Sequence, residues 1–221
     1  MRIVFTLTEK GDYATIFNEI RKVVIKSGLP FEPAKVNKNW PRLAYGPVLG
    51  YGQESLGEYL DIYLSRPLAE EEVFRALSAA ARDTVRILRV RRVPYAMASV
   101  SNLATVSRYL VKGDFKRYAP AKTLGEFLDG KNAQVGLMLE NGFTRILELK
   151  PFVIGCEQLE EDCVRLTLQA VGEKSLKPEY AVAAWLGLEI PASGEFTVPG
   201  VKFIREGLYW RDSQGELRPV C

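Results

Sequence analysis

The 221-residue chain contains no histidine. That excludes a His-based triad, a His-ligated metal and a His general base. Cysteine is scarce: Cys156, Cys163 and Cys221 fit a reducing cytosol better than a disulfide framework. Cys156 and Cys163 are separated by a stretch holding Glu157, Glu160, Glu161 and Asp162, which matches no zinc spacing. Nor is there the close cysteine set that an iron–sulfur cluster requires. The acidic neighbours are expected to raise a thiol's pKa, so the pair reads as one buried Cys plus a turn, with no metal and no cofactor. Long apolar runs are missing too, and no segment reaches the roughly 18 residues that span a bilayer. The opening MRIVFTLTEKG is too short and too alternating for a signal peptide and reads as a strand. Gly46, Gly50, Gly52 and Gly57 lack the Gly-Lys-Ser/Thr ending of a phosphate loop and mark a turn between strands.

What is present is an ordinary globular balance, 47% apolar and 26% charged, enough for one large domain or two small ones. The net charge of +3 is uneven: residues 1–98 hold 15 Lys+Arg against 11 Asp+Glu (+4), and residues 99–221 hold 15 against 16 (−1). Arg82, Arg86, Arg89, Arg91 and Arg92 cluster among Val85, Ile87, Leu88, Val90 and Val93. That stripe suits a polyanionic partner, and equally suits a solvated strand edge that Arg protects from aggregation.

Periodicity predicts a strand at Ile3–Thr8, a helix at Tyr13–Ser27 closed by Gly28 and Pro30, and a short strand in Trp40–Gly46. A strand at Gly57–Leu64, a helix at Ala69–Arg82 with three glutamates in its first turn, and a strand at Thr84–Val93 follow. The second half repeats the pattern: a strand at Leu103–Val111, a helix at Thr123–Asp129, strands at Phe152–Glu157 and Val164–Val171, a helix from Lys177 to Gly187, and a last strand at Phe203–Trp210. Ala133–Leu139 and Phe143–Leu149 add a hairpin around Asn141-Gly142. The expectation is an α+β fold of duplicated ferredoxin-like βαββαβ units with antiparallel sheets, at residues 1–98 and, with the extra hairpin, 99–221.

Three motifs occur in order: Ile20-Arg21-Lys22 leading to Ser27-Gly28-Leu29-Pro30; Asn39-Trp40-Pro41-Arg42-Leu43-Ala44-Tyr45-Gly46-Pro47; and Gly57-Glu58-Tyr59-Leu60-Asp61-Ile62. Together with Gly172-Glu173-Lys174-Ser175-Leu176-Lys177-Pro178-Glu179, they resemble the radical-SAM-associated domain of unknown function (the radical SAM-linked protein family) over nearly the whole chain. The family pattern carries a Ser-His-Leu-Asp run and an Asn-Pro-His-Pro-Arg loop. Here those places read Asp12-Tyr13-Ala14-Thr15-Ile16-Phe17-Asn18 and Asn37-Lys38-Asn39-Trp40-Pro41-Arg42, so the chain resembles a diverged member without the family histidines. The resemblance implies a non-catalytic accessory or substrate-presenting protein partnered by a radical SAM enzyme, with RNA as a candidate cargo. The cysteine usage and the missing apolar runs lead to the expectation of a cytoplasmic protein with no membrane attachment.

The loop Lys35–Tyr51 is the densest candidate site. Lys35, Lys38, Asn39, Trp40, Arg42 and Tyr45 set cations beside aromatic rings, as phosphate contact and base stacking require. The loop is expected beside the N-terminus of the first helix, whose N–H groups assist anions. Its other reading is Trp40 and Pro41 packing a long loop onto the core. Arg86, Arg89, Arg91 and Arg92 are the candidate nucleic-acid contacts. Glu58 and Asp61, three apart on a strand, point to opposite faces and do not form a catalytic pair; Asp61 is expected to pair with Arg42. No catalytic residue emerges. The alternative is an RNA-processing or RNA-modifying enzyme of ferredoxin-like fold, for which Tyr13, Tyr45 or Lys38 would serve in cleavage without histidine.

Overall fold

A computed structural model describes residues 1–7, 13–81, 85–171, 174–191 and 196–221. Arg82 and the Gly172-Glu173 pair lie outside the described residues. Along the chain run β1 (Arg2–Leu7), α1 (Tyr13–Lys26), β2 (Leu43–Tyr45), β3 (Glu54–Ser55), β4 (Glu58–Ile62), α2 (Glu70–Ala80), β5 (Val85–Arg91) and α3 (Val100–Leu103). Then come β6 (Val106–Gly113), α4 (Leu124–Asp129), β7 (Gln134–Met138), β8 (Thr144–Glu148), β9 (Val153–Glu160), β10 (Cys163–Val171), β11 (Lys174–Ser175), α5 (Pro178–Trp185), β12 (Val201–Arg211) and β13 (Leu217–Pro219). The chain is a mixed α+β protein with antiparallel sheets. It divides into two compact units, the first made of Met1–Leu49, Ser55–Thr105 and Gly207–Cys221, the second of Gly50–Glu54 and Val106–Glu206.

In the first unit the sheet order is β2-β4-β1-β5. Alternation decides its faces: Ile3, Phe5, Leu60, Ile62, Val85 and Val90 enter a core with Ile20, Val23 and Val24 of α1 and Val73, Leu77 and Ala80 of α2. Gly28 ends α1 at φ +69°, a conformation that costs glycine little. Glu70, Glu71 and Glu72 occupy the first turn of α2, where the macrodipole favours them. Tyr59, facing away from that core, packs with Val100, Ala104, Leu208 and Val220 in a second cluster. Phe203–Trp210 is therefore not the last strand, because β13 follows and pairs with β12 at Tyr209↔Pro219. Three residues containing a proline give too short a signal to read as a strand.

In the second unit β10 pairs antiparallel with β6 and with β9, and β6 neighbours β12. Leu124, Leu128, Ala181 and Val182 of the helices pack with Val111, Val164, Leu166 and Leu168 of the sheet. The hairpin forms around Asn141-Gly142, with Gly142 at φ +81° and Gln134↔Glu148 to Met138↔Thr144 in register. Among the described residues no helix is long and apolar enough to cross a membrane.

Candidate functional site

β4 and β5 both run antiparallel to β1, and β2 runs antiparallel to β4. The ends of β4 and β5 and the starts of β1 and β2 therefore share one edge of the first unit's sheet. A cleft of about 500 Å³ opens there, lined by Glu32, Arg42, Tyr63, Arg66, Arg92 and Tyr95 together with the buried Asp61.

Asp61, which lines the cleft, is held in an ion pair. Arg2 is 0% exposed and grips Asp61 bidentately, Nε to Oδ1 at 2.7 Å and Nη2 to Oδ2 at 3.0 Å. The remaining Arg2 donors reach the carbonyls of Ala98 (3.0 Å) and Val220 (3.2 Å), while Asp61 Oδ2 also accepts the Val100 N–H at 2.7 Å. These bonds tie the 98–100 segment and the C-terminal strand to the sheet. The expected Asp61–Arg42 pair is thereby corrected. Arg42 lies one register step before β2, pairs with Glu32 (2.8 Å) and stacks 3.9 Å over the Tyr63 ring. In the sheet Asp61 lies between Ala44 of β2 and Arg2 of β1, so the guanidinium directly across from it is that of Arg2, while Arg42 stands just before β2.

Arg92 donates its Nη2 to the Leu68 carbonyl at 2.8 Å, which holds its guanidinium against the turn carrying Arg66. Arg66 is exposed and has no ion-pair partner among the described residues. Tyr95 stands on the lip, 93% exposed. The cleft thus joins Arg42 and Arg92, drawn from two separate stretches of candidates. Arg66, Tyr63 and Tyr95 carry no local motif of their own. The turn pairs Arg66-Pro67 and Pro94-Tyr95, at the ends of two strands that run parallel to each other, were the available signal.

The other loop candidates disperse. Lys35, Lys38 and Asn39 are exposed around a turn in which the Asn39 N–H donates to Asn37 Oδ1 at 2.9 Å. Trp40 is 38% exposed and lies under Arg21 at 4.1 Å, in the second half of α1. Tyr45 turns inward against Phe17, edge to face at 3.8 Å. Its hydroxyl is buried without a hydrogen-bond partner among the described residues, and burial pushes its pKa up to about 12. Tyr45 is therefore a poor base or nucleophile at neutral pH. The Tyr13 side chain lies outside the described residues. Arg86, Arg89 and Arg91 project from the outward face of β5, an edge strand, and Arg89 also donates to the Cys221 carbonyl at 2.8 Å.

A family model described as "Uncharacterized protein conserved in bacteria (DUF2344)" matches residues 15–178. The chain belongs to this family. The span matched to DUF2344 includes the cleft residues from Glu32 to Tyr95 and the Arg86–Arg92 row. No curated protein matches the chain.

In the second unit Glu179, at the start of α5, is 3% exposed. Its Oε1 accepts from Gln53 Nε2 at 2.7 Å, its Oε2 is buried without a partner among the described residues, and burial raises its pKa. The Gln53 carbonyl oxygen in turn accepts the Gly50 N–H at 3.0 Å, so Glu179 anchors the 50–54 loop. Cys156, Cys163 and Cys221 are all free thiols. Burial first, then Asp129, pushes Cys156 up to about 11, which leaves almost no thiolate at neutral pH.

Proposed function

We propose that this DUF2344 protein is a cytoplasmic, non-catalytic accessory or substrate-presenting protein that works with a radical SAM enzyme and holds an RNA substrate at the cleft of its first unit. The observation that carries this reading is the state of the cleft's charges. Both carboxylates are committed to ion pairs, Asp61 to Arg2 and Glu32 to Arg42, while Arg66 and Arg92 stay exposed. Groups held this way bind and orient a ligand; a general acid or base needs a titrating group free to move a proton. The ordered motifs from Ile20 to Ile62 support the radical SAM partnership.

The fold reading is that both units are ferredoxin-like and arose by duplication. It is supported by strand order. With the short strands β3, β11 and β13 left out of the count, β2-β4-β1-β5 and β9-β10-β6-β12 are both 2-3-1-4, with β7–β8 as an inserted hairpin.

Anaerobic affinity purification from the native host, followed by mass spectrometry, tests the partnership. A radical SAM enzyme recovered in near-equal amount is the expected result. Recovery of RNA alone, or of nothing, overturns it. RNA cleavage by the purified chain that Lys38→Ala abolishes would establish the enzymatic alternative instead.

A further inference from the structure

We infer that the cleft of the first unit is a nucleotide site, in which Arg66 and Arg92 take a phosphate, Tyr95 stacks on the base, and Arg42 on Tyr63 forms the far wall. This rests on the reading above that the cleft holds the substrate, and it names the chemistry of that substrate.

The charges narrow the ligand. A cation would need a free carboxylate, and both Glu32 and Asp61 already have guanidinium partners. A divalent metal fails for the same reason. An apolar ligand would strip water from guanidinium groups and return no hydrogen bonds. An anion meets Arg66 without displacing an existing partner, and Arg92 beside it is pre-positioned by its bond to Leu68. Inorganic phosphate alone would leave most of the roughly 500 Å³ empty. That volume suits a small organic ligand, and the exposed ring of Tyr95 offers a base one π-face.

Two sources share this chemistry, a free mononucleotide and the phosphorylated end of an RNA strand. The second agrees with the outward row Arg86, Arg89 and Arg91, which leads along β5 to Arg92. Arg89 and Arg91, two residues apart on one face, are about 7 Å from each other along the strand.

Calorimetric titration of the full chain with adenosine 5′-monophosphate, inorganic phosphate and adenosine separates the contributions. The monophosphate is expected to bind more tightly than either fragment. Arg66→Ala should weaken it about tenfold or more. Tyr95→Ala should weaken the monophosphate while leaving inorganic phosphate unchanged. Both side chains are exposed, so neither variant should shift Tm. A monophosphate that binds no better than phosphate, or whose affinity survives Arg66→Ala, overturns the inference. A short RNA with a 5′-phosphate then distinguishes the sources. Tighter binding than both the monophosphate and the 5′-hydroxyl RNA identifies a strand end, and equal binding to the monophosphate identifies a free nucleotide. Failure here with the radical SAM enzyme still recovered would sink only the ligand. Nucleotide binding without that enzyme would sink only the partnership.

Discussion

Asp61 commits both carboxylate oxygens to Arg2 and one of them also to the Val100 N–H. Asp61→Asn would leave a fully buried guanidinium uncompensated, and a loss of about 3–5 kcal/mol in urea denaturation is expected. A loss below ~1 kcal/mol would mean the pair behaves as a solvent-exposed one. Glu179 carries a pH-dependent contribution. Burial favours its neutral form, so its folded pKa lies above the ordinary 4.5. The native state then holds the proton more tightly than the unfolded chain. The associated stability is complete below pH 4.5 and is lost as pH rises through the folded value. Glu179→Gln keeps a carbonyl acceptor for Gln53 and removes the titration. Its Tm relative to the unaltered protein should therefore climb from pH 4.5 towards neutrality, and a pH-independent difference would refute this. Neither residue's partner was legible in sequence, because Arg2 and Gln53 lie 59 and 126 positions away.

Elements were more legible where a local rule acts within a few residues. α4 has only six residues, and a capping box defines its start: the Thr123 hydroxyl accepts the Glu126 N–H at 3.3 Å while Glu126 Oε2 accepts the Thr123 N–H at 2.8 Å. Thr123→Ala should cost about 1 kcal/mol in the same denaturation assay. An unchanged midpoint would show that Leu124 and Leu128, both buried, hold the helix without its cap. The glutamates opening α2 and the Asn141-Gly142 turn are equally local signals. α3, four residues long, is shorter than the window over which periodicity can be counted. Its place in the fold comes from the bond to Asp61 and from the buried Val100.

At the scale of the molecule, the net charge of +3 predicts little by itself, because what matters is where the cations stand. Arg86, Arg89 and Arg91 stand in one outward row on an edge strand. If single-stranded RNA tracks that row, replacing all three with Ala should reduce the slope of log Kobs against log salt by about 2. An unchanged slope would place the polyanion elsewhere. The row was readable as a string of arginines between apolar residues. That β5 lies at the sheet edge depends on how β1, β4 and β5 pair.

The sequence by itself determined what is local or compositional. The absence of histidine removed whole classes of chemistry, apolar periodicity marked the principal helices and strands, and ordered motifs pointed to a family. Only the tertiary structure decided that Arg42 and Arg92 share one cleft with Arg66 and Tyr95, that Asp61 belongs to Arg2, and that Gly207–Cys221 joins the first unit. The reason is physical. Antiparallel pairing brings strand ends distant in the chain to one sheet edge, and cross-strand register chooses the partner of a buried charge. Neither leaves a mark on the residues adjacent in sequence.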